Sequence, residues 1–185
     1  MVQKQRSYYL DLRREFEPTG IKLVIVAESP PESESGKYFY IPGGTVSELL
    51  FKALMKQLCI QPKTKPEGLR KFQNRGWVLV DATYEPVNKN TAPDLVIERD
   101  YPELCGDLKR LLATRWSEVP LVLIKANVCK LLEPKLKKDG FNVLNKKDRM
   151  VPFPSHGHQP VFDSRFREIV PQTLRCDGLY AETKR

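Results

Sequence analysis

The sequence lacks closely spaced cysteines: none of its four, Cys59, Cys105, Cys129 and Cys176, forms a C-x-x-C pair. These spacings argue against a four-cysteine zinc or iron–sulfur site, so we predict no metal and no cofactor. The sequence also lacks a signal-peptide pattern and any apolar run long enough to cross a membrane. We therefore expect a cytoplasmic protein with free thiols and no membrane contact.

Acidic residues are in deficit, with 23 Asp and Glu against 31 Lys and Arg and a formal net charge of +8. Seven basic residues and one acidic residue lie between Lys52 and Arg75, and eight basic and three acidic residues lie between Lys125 and Arg149. Two such stretches suit a polyanionic partner, but they equally suit two solvated faces. Charge alone therefore leaves nucleic-acid binding open.

Internal repeats and low-complexity segments are also absent. We predict one domain over residues 1–185, with its core at 21–170 and a frayed tail at 176–185. We expect this domain to be a monomer.

Four apolar runs are present, and each breaks abruptly into polar, Pro-containing or Gly-containing residues. The runs are residues 21–27, 77–80, 121–124 and, more weakly, 150–151. Helix-like segments separate them, which is typical of a parallel sheet in an α/β domain. Because such sheets bind ligands outside the carboxyl ends of their strands, the residues after each run are the candidate site.

The segments between the runs carry helical spacing. Thr45 and Glu48 form a capping-box pattern that predicts a helix start. Further helices are predicted over residues 3–16, after Pro102, after residue 124 and around residues 162–170. We expect an irregular stretch from residue 82 to residue 100.

Taken in order, the breaks resemble the motifs of the uracil-DNA glycosylase superfamily, especially its G-E-A-P-G branch. Residues 26–30 (VAESP) resemble the first motif, and residues 36–44 (GKYFYIPGG) resemble the glycine-flanked aromatic segment after it. Asp81 with residues 86–89 stands where the family has an Asn and a Pro-Asn-Arg-like loop. Residues 153–155 (FPS) stand where it has H-P-S. The resemblance covers roughly residues 21–170.

The resemblance implies a three-layer α/β/α fold with a central, mainly parallel four-stranded sheet. It implies a protein that binds DNA, in duplex form with a damaged base, and rotates that base out of the helix. It further implies hydrolysis of the N-glycosidic bond in base-excision repair. The branch's iron–sulfur cysteines are missing, with only Cys105 near a ligand position, so the resemblance implies no cluster here.

The resemblance also assigns roles at the centre of the site. Glu28 aligns with the family's acidic residue and would orient water and stabilise a developing positive charge on the sugar. Phe39 would stack on the base and Asp81 would read its edge, although an ionised carboxylate only accepts hydrogen bonds. Each also has a structural interpretation: Glu28 as a turn cap, Phe39 as core, and Asp81 as a support for its own loop.

The last motif departs most from the family. Phe153 replaces the histidine that supports the leaving base, and it would only contact the base. His156 and His158 follow at once and are candidates for the catalytic role, for contacts to DNA, or for exposed loop positions. DNA contacts are further expected from eight residues: Ser29, Pro30, Asn88, Lys89, Lys125, Asn127, Ser155 and Gly157.

Two other functions remain open from the sequence. The chain could be a non-catalytic binder of nucleic acid or nucleotides that has the same fold. It could also be a small hydrolase with His156 or His158 as base and Glu28 or Asp81 as partner, although no nucleophile motif or metal spacing supports that reading.

Overall fold

A computed structural model of the chain describes residues 5–31, 37–87, 92–146 and 148–175. Helices alternate with three strands, and two short 3₁₀ turns lie at Ala113–Arg115 and Gln172–Leu174. The elements are α1 (Arg6–Arg14), β1 (Leu23–Ala27), α2 (Leu49–Gln57), α3 (Lys65–Asn74), β2 (Trp77–Asp81), α4 (Pro93–Leu112), β3 (Leu121–Leu123), α5 (Ala126–Lys138) and α6 (Gln159–Ile169).

The three strands form a parallel sheet in the order β2–β1–β3. In the central strand, Val26 lies beside Val80 of β2 and beside Leu123 of β3. Every residue of the three strands is buried, which accounts for their nearly continuous apolar sequence. The prediction of an α/β domain with a parallel sheet is confirmed.

The predicted fourth strand is reduced to one bridge in the described part of the chain. Val151 forms an isolated parallel bridge with Ile124, and its carbonyl accepts a hydrogen bond from the Lys125 backbone N–H at 2.8 Å. Pro152 follows and has no N–H with which to continue a ladder. The run therefore lies beside β3, but it is too short to count as the predicted fourth strand.

Helices cover both faces of the sheet. Leu23 and Ile25 point into one apolar cluster, which contains side chains of α2, α3 and α6 together with Tyr9 of α1. Val24 and Val26 point into a second cluster, with side chains of α4 and α5. Because neighbouring strand residues point to opposite faces, each strand contributes to both clusters.

Two helices begin at residues other than those predicted. The Glu48 carboxylate accepts a hydrogen bond from the Thr45 N–H at 2.9 Å, which is half of the capping box, but α2 begins only at Leu49. α4 begins at Pro93 rather than near Pro102, so the expected irregular stretch up to residue 100 is wrong. Val96 and Ile97 are buried, and their packing extends this helix toward its N-terminus.

The cysteines differ from the expectation in one place. Cys105 and Cys129 are free thiols, whereas Cys59 is disulfide-bonded, so the prediction of free thiols throughout is wrong. Cys176 and the tail at 176–185 lie outside the described residues. No helix in the described ranges combines the length and apolarity needed to cross a lipid bilayer.

Candidate functional site

A cavity of about 730 Å³ lies at the carboxyl ends of the three strands. Five chain segments contribute to its wall: the residues after β1, the segment before α2, the end of β2, the residues after β3, and the segment before α6. Its lining includes Glu28, Ser29, Tyr38, Phe39, Glu48, Asp81, Lys125, Phe153, Ser155 and His156. Eight of these are candidate site residues from the sequence, so the fold brings most of the candidate site together.

Glu28 follows β1 directly and is held by two side chains. Its Oε2 atom pairs with the Lys125 ammonium, and its Oε1 atom accepts a hydrogen bond from Asn127 Nδ2 at 2.7 Å. The Glu28 side chain is 8% exposed, whereas the Lys125 side chain is 42% exposed. Lys125 and Asn127, both expected to contact DNA, thus contact the candidate catalytic carboxylate in this structure.

Asp81 ends β2 and is buried. Burial raises the pKa of Asp81 to about 7, although the positive charge of Arg13 and the nearby Tyr38 hydroxyl both act to lower it. Neither the Asp81 Oδ2 atom nor the Tyr38 hydroxyl makes a hydrogen bond of normal geometry within the described structure. The carboxyl also lines a second cavity, of about 450 Å³. Asp81 therefore has free hydrogen-bonding capacity beside open space.

A buried ionic network contains the Arg13 charge that acts on Asp81, and its members are not among the residues that we selected from the sequence. The Arg13 guanidinium donates to both carboxylate oxygens of Asp107, at 2.6 and 2.8 Å, and to the Tyr84 hydroxyl at 2.7 Å. Burial opposes the charge on Asp107, but the hydrogen bonds and positive charges of Arg13 and Arg110 together outweigh it and lower the pKa of that carboxyl. One signal was available, because Arg13 has helical spacing with the apolar Tyr9 and Phe16.

Phe39 belongs both to the cavity wall and to the core. Its ring lies 5.1 Å from that of Phe72 and 5.7 Å from that of Phe51, between ring centres. The neighbouring Tyr40 hydroxyl donates to the Leu79 carbonyl at 3.0 Å and accepts from the Leu79 N–H at 2.7 Å. These contacts fix the aromatic segment against β2, with one side of Phe39 at the cavity.

Lys65, which is not among the residues selected from the sequence, holds the segment with Tyr38 and Phe39 in place. Its buried ammonium donates to Glu48 at 2.6 Å and to the Tyr38 carbonyl at 2.9 Å. Burial lowers the pKa of Lys65, and Glu48 acts in the opposite direction. A Cβ atom on Gly44 would lie 2.2 Å from Glu48 Oε1 and 2.6 Å from Lys65 Nζ. The glycine therefore makes room for this ion pair.

The segment before α6 separates the two histidines. His156 lines the cavity with Phe153 and Ser155, whereas His158 is not among the lining residues. The His158 Nδ1 atom and the Ser155 hydroxyl are 3.0 Å apart, in a hydrogen bond at the start of α6. Gly157 between them has a φ of 82°, which favours glycine, and open space around it.

Two further expected DNA contacts, Ser29 and Pro30, follow the end of β1. The Ser29 hydroxyl donates to the Pro30 carbonyl at 3.2 Å and accepts from the Val87 N–H at 3.3 Å, linking the ends of β1 and β2. Pro30 is buried. Asn88 and Lys89 lie outside the described residues.

Many basic side chains of the two basic stretches form ion pairs with acidic residues. In the first, Lys56, Lys65, Arg70 and Lys71 have acidic partners, and in the second Lys125, Lys135, Lys137 and Arg149 do. Lys52, Lys130 and Lys138 are exposed. The stretches are therefore less available to a polyanion than their composition indicates.

Comparisons with protein-family models, with curated proteins and with solved structures find no match to this chain. Within the described residues, no group of three or more His, Cys, Asp and Glu side chains could hold a metal ion. The wall of the cavity carries three carboxyls, two ammonium groups, aromatic rings and an imidazole.

Proposed function

We propose that this chain is a uracil-DNA glycosylase-like protein that binds DNA with one damaged base turned out of the helix and seated in the 730 Å³ cavity. One observation carries the proposal. Glu28, Phe39, Asp81, Phe153 and His156 come from four separate segments, were selected by motif order alone, and line the same cavity at the carboxyl ends of parallel strands. Its volume falls in the range of about 300–1,000 Å³ typical of small-ligand pockets.

Phe39 would hold the extruded base by stacking. A base stacked on an aromatic ring gains about 1–3 kcal/mol, which offsets much of the few kcal/mol that unstacking costs. The contacts of Phe39 with Phe51 and Phe72 support this role, because a ring already fixed by packing loses little entropy when it binds.

Asp81 would read the edge of the base in a manner that depends on pH. With a pKa of about 7, its carboxyl carries a proton in mildly acidic solution and can donate to a carbonyl oxygen. Above that pH the carboxylate only accepts, and it then suits an N–H group of the base. Its unpartnered Oδ2 atom supports a role toward a ligand.

Glu28 would serve the hydrolysis of the N-glycosidic bond. A water molecule attacks C1′ of the deoxyribose and passes its proton to the Glu28 carboxylate. The C1′–N bond breaks, and its electron pair leaves with the base. Lys125 and Asn127 hold the carboxylate in one orientation, as a positioned base requires.

A non-catalytic binder of the same fold is the second candidate, and one feature of the site favours it. Both carboxylate oxygens of Glu28 already accept hydrogen bonds from the protein, and Phe153 has no donor to offer a leaving base. Such a site would hold an extruded base and leave its bond intact.

Base release from lesion-bearing duplexes tests these candidates. Oligonucleotides with uracil, hypoxanthine, xanthine or an alkylated base are incubated with the wild type and with Glu28→Gln, then cleaved with alkali at abasic sites. Release by the wild type and its loss in Glu28→Gln support the hydrolase. No release, with salt-sensitive and lesion-dependent binding, supports the binder. Absence of DNA binding even at low salt rejects both.

A further inference from the structure

Lys125 has a backbone conformation that glycine favours. It follows β3 directly and has a φ of 85° and a ψ of 140°. Its N–H donates to the Val151 carbonyl at 2.8 Å, and its carbonyl accepts from the Cys129 N–H at 3.0 Å at the start of α5. The surrounding structure therefore imposes this conformation on a lysine, which points to a use for the side chain.

The side chain reaches into the cavity. Its ammonium pairs with Glu28 and lies in the cavity wall, and the side chain is 42% exposed. An ammonium has three N–H donors, and Glu28 is the acceptor it contacts among the described residues. Two donors are left for a ligand at the place where the candidate water-activating carboxylate lies.

Lys125 and Phe153 belong to two segments that run side by side. The bridge between Ile124 and Val151 places the residues that follow β3 beside those that follow Val151, and both Lys125 and Phe153 line the cavity. Phe153 has no group that can stabilise negative charge. The Lys125 ammonium supplies such a group to the same cavity.

The chemistry of base release decides what such a cation can do. Uracil and hypoxanthine are neutral in DNA, so they take up negative charge as the bond to C1′ breaks. A purine alkylated on a ring nitrogen is already positively charged and leaves as a neutral molecule. A nearby ammonium stabilises the first kind of departure and repels the second kind of substrate.

We infer that Lys125 donates to the departing base and stabilises the negative charge that develops on it, so that the substrates are neutral lactam bases and not cationic alkylated ones. The inference rests on the proposed function. Water adds to C1′, its proton passes to Glu28, and the electron pair of the C1′–N bond remains on the base, which the ammonium holds as an anion. The base afterwards takes a proton from water.

Substitution of Lys125→Met, measured on two leaving groups, tests the inference. The substrates are duplexes with deoxyuridine or 5-fluorodeoxyuridine, because the fluorinated base forms a more stable anion and needs less help to leave. We expect the rate of uracil release to fall about 10²–10³-fold, and that of 5-fluorouracil release to fall by about tenfold less. Both rates come from one preparation, so their ratio does not depend on the fraction of protein that is folded.

Lys130→Met is the matched control, because Lys130 is an exposed lysine on α5 that is not among the residues lining the cavity. It should leave the ratio of the two rates at the wild-type value, and Lys125→Arg should retain most of the preference for uracil over an alkylated purine.

The possible negative results distinguish a failure of the Lys125 role from a failure of the proposed function. Equal losses on the two bases in Lys125→Met, or preferential release of alkylated purines by the wild type, would overturn this role while the proposed function stands. Trapping of Lys125 on abasic DNA by borohydride would show a nucleophilic amine instead. A wild type that releases no base rejects the proposed function and this role together.

Discussion

Glu28 and Asp81 are carboxyls at the ends of neighbouring strands, and their surroundings give them different properties. Glu28 is paired with Lys125 and bonded to Asn127. Asp81 is buried with one oxygen unpartnered, and its pKa is raised to about 7. Two carboxyls in one site with different environments can divide the work, one acting on water and the other on the base.

The free energy of unfolding of the Asp81→Asn variant, relative to that of the wild type, should increase as the pH rises. The ordinary pKa of this carboxyl is 3.8 and the folded value is about 7, so the folded state binds the extra proton between these values. Wild-type stability is therefore highest below pH 4 as far as this group is concerned. It falls through the window up to pH 7, by about 1.4 kcal/mol per unit of pKa difference. An amide cannot ionise and escapes this loss.

Thermal unfolding at pH 5 and pH 8 checks this prediction. The advantage of Asp81→Asn over the wild type in Tm should be larger at pH 8. Asp11→Asn removes an exposed carboxyl and should show no such growth. Identical advantages of Asp81→Asn at the two pH values would mean that Asp81 is not held neutral by burial.

Lys125→Gly should be more stable than Lys125→Ala, the reverse of the usual order. Both variants lose the ion pair with Glu28, but only glycine relieves a backbone at φ 85°, which costs a non-glycine residue about 1–3 kcal/mol. Urea unfolding midpoints give the difference. At Lys130, an exposed position inside α5, glycine should instead be less stable than alanine by about 1 kcal/mol. The same order at both positions would contradict the backbone assignment.

At the scale of elements, the site depends on how the segment before α2 is held. Lys65 comes from the first turn of α3 and Glu48 from the N-cap of α2, and their ion pair fixes the Tyr38 carbonyl next to Phe39. Two helices thus position an aromatic ring that belongs to neither. The capping-box pattern pointed to Glu48, but nothing local in the sequence showed that its partner is a lysine on the following helix.

Gly44→Ala should weaken this attachment. The added Cβ meets the ends of the Glu48 and Lys65 side chains, so both must shift and the geometry of their ion pair is disturbed. Because Lys65 would remain buried, we expect a loss of about 2 kcal/mol in the free energy of unfolding. Gly43→Ala, with open space around its Cβ, should change stability little. Equal urea midpoints for the two variants would show that the pair does not hold the segment.

At the scale of the molecule, the parallel sheet explains why the motif residues meet. All three strands end at the same edge, so residues after β1, β2 and β3 come together although the chain separates them widely. The parallel sheet and the meeting of these residues at one edge could be predicted, because buried strands have nearly continuous apolar sequences. The Arg13–Asp107 pair, by contrast, joins positions on α1 and α4, and single-sequence patterns have no signal for such a partner.

The start of α4 and the shortness of the fourth run also could not be predicted from the sequence. Packing of Val96 and Ile97 extends α4 to Pro93, and a one-residue bridge at Val151 replaces a strand. Both outcomes depend on contacts with the sheet and not on local preference. Within the site, the pairing of Lys125 with Glu28 could not be predicted, because it requires the order in which β1 and β3 lie side by side.

The central claim is that the cavity receives a base turned out of duplex DNA, and 2-aminopurine fluorescence tests it most directly. With 2-aminopurine placed beside a uracil, the wild type should raise its emission at saturating protein, because the neighbouring base loses its stacking partner. Ser47→Trp, which narrows the cavity from an exposed lining position, should bind the duplex with a smaller rise. Duplex bound by the wild type with unchanged emission, or an equal rise with the narrowed cavity, would contradict the account.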